Sequence, residues 1–550
     1  MTKRQIIILG AGVMQGPAIR IAKDMGLETV VLDADKDAPC TPLADRFENI
    51  DLKDKHRVLS VAETLSALAG IMTAGTDFST TVAFVAEKLG LPGVSYETAL
   101  NASDKGRMRE CFRRAGVPSP RFTVLETMPN ADFNLPFPFP VVVKPVDNMG
   151  ARGCRKVDNP TELRSAAVDA LRFSGSGRII VEEFIGGPEF SIDAIVYQGE
   201  ITITGFADRH IFFPPYFIEM GHTMPTNIDE KDRAEVVDIF KQGVRALGIR
   251  DGAAKGDVKL ARKGRAMVGE IAARLSGGYM SGWTYPYSSG VEPIRAAIQV
   301  AIGEKPLHLT PVRQWTSAER AFISIPGKVF SIVKKELPPQ VKDVFFRVKE
   351  GDRVKFPENN VSKAGNVIAL APNREEAVNA AETAARNMLI RLSAPDVETE
   401  AFLSTGEQNR NFADEFSNTP STPQFPPDAF TVPPRIPRSL EKMPESLEYF
   451  RESRTLSSAN VEPFFVGIMP FPEFTESGLM DYAGRTVAES LDAVRLLTGQ
   501  ALSITDDAST ADIVLGRAFW QAFIRGGYQG AAYVVDKLGI PIRNHSIGKS

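Results

Sequence analysis

Residues Ile6-Ile7-Ile8-Leu9 run straight into Gly10-Ala11-Gly12. An apolar run without polar alternation, ended by glycine, is the signature of a parallel strand covered on both faces. The pattern repeats. A helix is expected over 15–25, a strand over 29–32 ending at Asp33, a strand over 71–73 before Gly75, and a helix over 77–89. Strands alternating with helices specify a parallel sheet with helices on both faces, a doubly wound α/β domain. The glycines are spaced Gly10-x-Gly12-x-x-x-Gly16, one residue longer than the dinucleotide fingerprint. Three readings stay open for this loop. Its N–H groups could hold a dinucleotide, with Asp33 as the ribose acid. It could be a tight strand–helix turn. It could also line a different substrate or nucleotide site.

Further along, a helix starts near Ser103, a potential N-cap, and runs to Ala115 before Gly116 and Pro118. Pro136, Pro138 and Pro140 lead into a strand ending Val143-Lys144. The alanine-rich run 373–392, acidic early and basic late, reads as one helix. From about Pro395 prolines accumulate without apolar periodicity, as in an extended linker or arm. Amphipathic helices are expected over 486–497 and 511–524, with Trp520, Phe523 and Tyr528 as a core or interface cluster. Gly548-Lys549-Ser550 is not a phosphate loop, because Arg543 stands where the motif needs glycine.

Composition bounds the function classes. A length of 550 residues suggests about three or four domains. With 43% hydrophobic and 24% charged residues, the chain is neither wholly disordered nor a collagen or coiled-coil rod. A net charge of −4 gives no general attraction to nucleic acid or to an anionic membrane. No run reaches the ~20 apolar residues that cross a bilayer, and the apolar run after Met1 is too short for a signal peptide. Cys40, Cys111 and Cys154 show no zinc spacing, and a reducing cytoplasm is the expected location.

The segment 255–274 carries the chemistry. Residues 256–260 and 266–271 read as two short strands joined by a two-residue Lys263-Gly264 turn. Counting back from that turn, Arg262 faces Arg265, Lys259 faces Val268, and Asp257 faces Glu270. Carboxylates directly opposite lie about 4.5–5.5 Å apart at Cβ and repel unless a cation sits between them. Mg²⁺, which takes one or two carboxylates plus substrate phosphates, fits that need. Arg274 follows on the same face and can meet a phosphate or an acyl phosphate. The plainer alternative is a solvent-facing hairpin neutralised by Lys259 and the arginines.

Taken with the flanking motifs, residues 1–395 resemble an ATP-grasp enzyme. The resemblance rests on Asp104-Lys105 in a helix, Val143-Lys144-Pro145 at a strand end, and the loop Asp147-Asn148-Met149-Gly150-Ala151-Arg152-Gly153. It continues with Val181-Glu182-Glu183-Phe184-Ile185, then Gly187-Pro188-Glu189, then the acids Asp257 and Glu270. It implies that Lys105 and Lys144 neutralise ATP phosphates, with Gly150 and Gly153 in the mobile phosphate loop. It further implies that Glu182, Glu183 and Ile185 form the adenine hinge, that Glu189 receives the ribose hydroxyls, and that Asp257 and Glu270 hold Mg²⁺, or Mn²⁺ in its place. Ala272 departs from the Glu-x-Asn-x-Arg pattern of many members and removes a metal ligand. The run Glu270-Ile271-Ala272-Ala273-Arg274-Leu275-Ser276-Gly277-Gly278 is most similar to L-amino acid ligases, which make dipeptides. So is Phe217-Ile218-Glu219-Met220-Gly221-His222. By that resemblance Glu219 binds a substrate ammonium, His222 orients a carboxylate or takes a proton, and Arg274 and Gly277 flank an acyl phosphate.

The expected fold is α/β. A doubly wound pre-ATP-grasp domain (1–100) precedes an ATP-grasp α+β region (101–395), a Pro-rich linker (396–445) and a small helical C-terminal region (446–550). The expected activity is ATP-dependent ligation of a carboxylate, an amino acid foremost, to an amine. Expected partners are small-molecule carboxylates and amines, with no nucleic acid and no membrane; self-association as a homo-oligomer is left open. The rivals are a carboxyphosphate-forming carboxylase, a non-catalytic ATP-binding protein and a dehydrogenase.

Overall fold

The computed structural model describes residues 3–128, 134–213, 215–261, 265–334 and 336–403, with residues 529, 530, 532, 533, 536 and 537. The chain divides into two units. The first comprises Met1–His210, Gly221–Glu319 and Ile368–Val378. The second comprises Ile211–Met220, Arg320–Val367 and the described residues from Asn379 onward.

The first unit opens with a four-stranded parallel sheet in the order Arg46–Asn49, Glu28–Asp33, Gln5–Leu9, Leu68–Thr73. The apolar run at the start is explained by its neighbours. Ile6 and Ile8 enter one core with Ala18, Ile19 and Val31, while Ile7 and Leu9 enter another with Val58, Val85 and Phe84. Successive side chains of a strand alternate faces, so two covered faces require an unbroken apolar run. The helices Gly16–Asp24 and Ser79–Leu89 lie close to the expected spans.

A smaller antiparallel sheet follows, ordered Phe122–Leu125, Ile179–Glu183, Val141–Pro145, Arg155–Val157. The helix Pro160–Arg172 covers it with Leu163, Ala166, Ala167 and Ala170. A larger sheet runs Arg265–Ala272, Gly252–Ala261, Glu189–Tyr197, Glu200–Phe212 and onward. Glu189–Tyr197 and Glu200–Phe212 are joined at Gln198-Gly199, both at positive φ (51° and 82°), the turn a two-residue hairpin demands. The helix Glu230–Leu247 packs Phe240, Val236 and Val244 under the Gly252–Ala261 hairpin.

In the second unit, Gly327–Lys334 pairs with Arg353–Val354 and with Met388–Leu392. The late residues belong here as well. Gln529 Nε2 donates to Ser324 Oγ at 2.8 Å, Tyr533 Oη accepts from Asp396 N at 2.7 Å, and Asp536 pairs with the buried Arg391.

Several expectations are corrected. Ser103 ends the helix Tyr96–Ser103, and the N-cap of Lys105–Ala115 is Asp104, whose side chain accepts from Arg107 N. Run 373–392 is not one helix. The helix Arg374–Arg386 stops, and the β-branched and leucine content beyond it forms the buried strand Met388–Leu392. The expected extended linker starts as the helix Val397–Leu403. Its remainder to 445, the helices at 486–497 and 511–524, the cluster Trp520, Phe523 and Tyr528, and the Gly548-Lys549-Ser550 end all lie outside the described residues. In the hairpin, Asp257 does face Glu270, but Lys259 faces Met267 and Arg265 faces Ala261. A β-bulge after Asp257 takes up Gly269, and this slip separates the count from the turn and the observed register. The Lys263-Gly264 turn itself lies outside the described residues.

Candidate active site

Lys105 opens its helix and sits at the meeting of two elements. Its Nζ donates to the Asn148 carbonyl at 2.7 Å and lies 3.5 Å from Glu270 Oε1. Burial alone would depress its pKa, but Glu270, Asp77 and Glu182 outweigh it and the pKa is raised. Lys105 is therefore a cation fixed by the surrounding acids.

Lys144 projects from Val141–Pro145 and ends 2.6 Å from Glu182 Oε2. Glu182 stands on the neighbouring strand, opposite Val142, and is 3% exposed. Its other oxygen lies 2.8 Å from Arg109 Nε. Burial pushes the Glu182 pKa up, Arg109 and Lys144 pull it down, and the net direction is down. Glu182, expected at the adenine hinge, here pairs with Lys144 and Arg109. Arg109 was not singled out from sequence, although it lies one helical turn from Lys105, on the same face.

The loop after Lys144 turns through positive φ at Gly150 (69°), Ala151 (60°) and Gly153 (68°). Asp147 anchors its far side by accepting from Ser176 N at 2.6 Å and Ser174 Oγ at 3.1 Å. Among the described residues, the amides of Gly150, Ala151, Arg152 and Gly153 have no hydrogen-bond acceptor. A run of unspent N–H groups near lysines is chemistry that can hold an anion. At the hinge, the Glu183 side chain turns to Arg121 (3.1 Å), and Lys259 Nζ donates to the Ile185 carbonyl at 3.2 Å. Glu189 pairs with Arg209 and lies 3.1 Å from Lys259 Nζ. Burial raises its pKa, but Arg209 and Lys259 win and hold it low.

The two acids are not bare. Asp257 pairs with Lys255 and lies 2.9 Å from Arg209. Lys255 stands directly across from Ala272, the position that departs from the Glu-x-Asn-x-Arg pattern. Glu270 is held to a pKa of about 2, because burial, which would raise it, is outweighed by Lys105, Lys255, Lys144 and Arg274. Among the described residues no group of three or more His, Cys, Asp or Glu could hold a metal. A pair of carboxylates plus substrate phosphates still fits one Mg²⁺, and Asp257 Oδ1 is a buried oxygen without a hydrogen-bond partner among the described residues.

The N-terminal sheet comes up against this region, in line with the third reading of its glycine loop. Ala74 bridges to Leu275, and a Cβ on Gly277 would lie 3.1 Å from the Gly75 carbonyl. That close approach places Asp77 Oδ1 4.0 Å from Arg274 Nε. The buried Asp193 accepts from Ser276 Oγ and Ser281 Oγ, both at 2.7 Å, and so fixes the turn after Arg274. Two expected residues are held separately. His222 Nδ1 lies 3.1 Å from Glu319 Oε2, with both side chains 1% exposed. Glu219 belongs to the second unit, where its N–H donates to Asn360 Oδ1 (2.8 Å) and its carbonyl accepts from Lys363 Nζ (2.7 Å).

The first glycine loop uses its polar groups internally. Asp33 Oδ2 accepts from Ala11 N at 2.7 Å, and a Cβ on Gly10 would meet the Gln15 side chain at 3.0 Å. Gln15 Nε2 in turn donates to the Ala74 carbonyl. The loop is closed by its own side chains and braces the wall at Gly75.

Residues 137–282 match the ATP-grasp domain family. The chain carries an ATP-grasp domain. Residues 322–393 match L-amino acid ligase C-terminal domain 2. Uncharacterized protein y4rH of Sinorhizobium fredii is 24% identical, over 68% of this chain and 80% of that one. Mouse carnosine synthase 1 is 24% identical over 56% of this chain, which spans only 40% of that protein. The L-amino acid ligase structure from Bacillus licheniformis aligns with TM-score 0.62 at 23% identity, over 72% of this chain and 100% of that one. A biotin carboxylase structure from Campylobacter jejuni aligns with TM-score 0.57 at 21% identity, over 71% and 92%. These structural likenesses establish the ATP-grasp fold. Among the described residues no helix is long and apolar enough to cross a membrane.

Proposed function

We propose that the protein joins a carboxylate, an amino acid foremost, to an amine through an acyl phosphate, releasing ADP and phosphate. The broader class, an ADP-forming ATP-grasp ligase, follows from the two matched domains. The observation that carries the finer reading is the facing of two acids, Asp257 and Glu270, by Lys105, Lys255 and Arg274, with Lys144 held nearby on Glu182. Such a field suits a triphosphate and a transferring phosphoryl group.

In this reading Lys105 and Lys144 bind the phosphates as point charges, and the amides of 150–153 close over them. The hinge backbone at Glu183 and Ile185 reads the base, and Glu189 accepts from the ribose. Asp257 and Glu270 would hold Mg²⁺, which when bound neutralises charge between phosphates and polarises the transferring oxygens. Arg274, backed by Asp77, holds the acyl phosphate, and Gly277 leaves room beside it. A substrate carboxylate oxygen takes the γ-phosphoryl group as the bond to ADP breaks. The amine then attacks the acyl carbon, and phosphate leaves with that oxygen. Glu219 would bind the ammonium and His222, backed by Glu319, would orient a carboxylate or take the amine proton; these two roles rest on the resemblance. No enzyme nucleophile is required.

The test is ADP release with ATP and Mg²⁺ over a panel of amino acids and amines. Release that needs both a carboxylate and an amine, with a condensed product by mass, is expected. Release that needs bicarbonate alone would replace this reading with a carboxyphosphate one. No substrate-dependent release across the panel would count against turnover.

A further inference from the structure

We propose that Arg109 is a positioning residue that ties the phosphate lysine Lys144 to the hairpin bearing Asp257 and Glu270. The inference rests on the nucleotide-site reading above and adds a residue that reading does not use. Arg109 is 1% exposed, in the middle of the helix Lys105–Ala115. Its guanidinium forks. Nε lies 2.8 Å from Glu182 Oε1 as an ion pair without hydrogen-bond alignment, and a terminal nitrogen donates to the Gly269 carbonyl at 2.6 Å.

Each arm ends on something the site needs. Glu182 uses its second oxygen to hold Lys144 Nζ at 2.6 Å. Without that carboxylate the lysine loses its fixed place. Gly269 is the residue absorbed by the bulge that shifts the register after Asp257. The bulge is what brings Asp257 and Glu270 face to face. Without the slip, the pairing Val258↔Val268 would continue to Asp257↔Gly269 and leave Glu270 out of line. A Cβ at Gly269 would lie 3.1 Å from the Asp257 carbonyl, so the bulge is tightly closed. A planar guanidinium can hold an ion pair on one edge and donate to a carbonyl from another, which a lysine ammonium cannot do with the same geometry. One buried cation thus sets the spacing between the phosphate lysine and the acid pair.

A purely structural role is the rival: Arg109 would be present only to neutralise buried Glu182. The two accounts separate in ADP binding by titration calorimetry, with and without Mg²⁺, which needs no turnover. The first variant is the double Arg109→Met, Glu182→Met. Removing both buried partners leaves Lys144, whose side chain keeps some contact with solvent, as the one charge that loses its acid, so folding is expected to survive. Lys144 is then unheld, and ADP affinity is expected to fall about tenfold even without Mg²⁺, the scale of one lost charge-assisted contact. The second variant, Arg109→Lys, keeps a positive partner for Glu182 and loses the fork to Gly269. Its ADP affinity without Mg²⁺ is expected within about twofold of wild type, while the tightening by Mg²⁺ shrinks by about tenfold. If the double variant does not fold, Arg109→Lys decides alone. Wild-type ADP affinity and wild-type Mg²⁺ tightening in the folded variants would overturn the inference and leave the nucleotide reading intact. A wild-type protein that binds neither ADP nor Mg·ADP would overturn the nucleotide reading, and the inference with it.

Discussion

The two glycine loops begin from similar sequence and end in opposite states. At 10–16 the polar groups are spent internally. Asp33 takes the Ala11 amide, and Gln15 fills the space over Gly10 and Gly12. At 147–153 the side chains of Asp147 and Asn148 anchor one end, while the amides of 150–153 have no acceptor among the described residues. Below the second loop lie Lys105 and Lys144, each already paired with an acid. Glycine content alone does not make an anion site. The deciding difference is whether neighbouring side chains consume the loop's donors or neutralise what would bind them.

That difference is tested most strongly beneath the second loop. Lys144→Met is expected to lower kcat/KM for ATP by about 10²–10³, the scale for losing a positioned charge in phosphoryl transfer. Steady-state kinetics with the best carboxylate–amine pair checks this; a change under about threefold would break the contrast.

Next come the glycines themselves. Gly153→Ala puts a Cβ at positive φ, 2.9 Å from Phe173 Cδ2 and 3.1 Å from Ala170 Cα. Strain of about 1–2 kcal/mol in the loop should raise KM for ATP about tenfold. Gly12→Ala has ordinary φ (−72°) and meets only the flexible end of Gln15 at 3.1 Å. Its KM for ATP is expected to stay within about twofold. Equal effects at both glycines would mean that the loops are not functionally different.

Acid titration gives a smaller effect. The folded Glu182 pKa lies below its ordinary 4.5. Its stabilising contribution is therefore complete above about pH 4.5 and is lost as pH falls through the folded value. The slope is at most one proton, about 1.4 kcal/mol per pH unit. Denaturant unfolding between pH 6 and pH 3 should show a shallower acid limb in the Arg109→Met, Glu182→Met double variant than in wild type. The smallest effect is expected for Asp33→Asn. It should leave ATP kinetics unchanged within about twofold, because Asp33 closes the first loop and touches no nucleotide; a large rise in KM would show that the first loop does.

Much of this was legible in the sequence, for identifiable reasons. Ile6 to Leu9 encoded a doubly covered strand because each face has its own core. The pairing of Asp257 with Glu270 was read correctly, though through a register that fails at Lys259. A bulge leaves no periodic trace, and only the glycine at 269 hinted at it. The 388–392 strand was hidden because an alanine-rich helix runs into it without a proline or glycine. Asp77 and Arg209 were missed because long-range packing, not motif spacing, brings them to Arg274 and to Asp257 and Glu189. Arg109 and Lys255 had local signals that were passed over: the four-residue step from Lys105 to Arg109, and the two-residue step from Lys255 to Asp257 on one strand face.

The central claim is that this site phosphorylates a carboxylate. The most direct measurement uses a substrate carboxylate labelled with ¹⁸O and mass analysis of the released phosphate. One labelled oxygen transferred to phosphate per product formed is the expected result. ADP formed alongside product with unlabelled phosphate would contradict it.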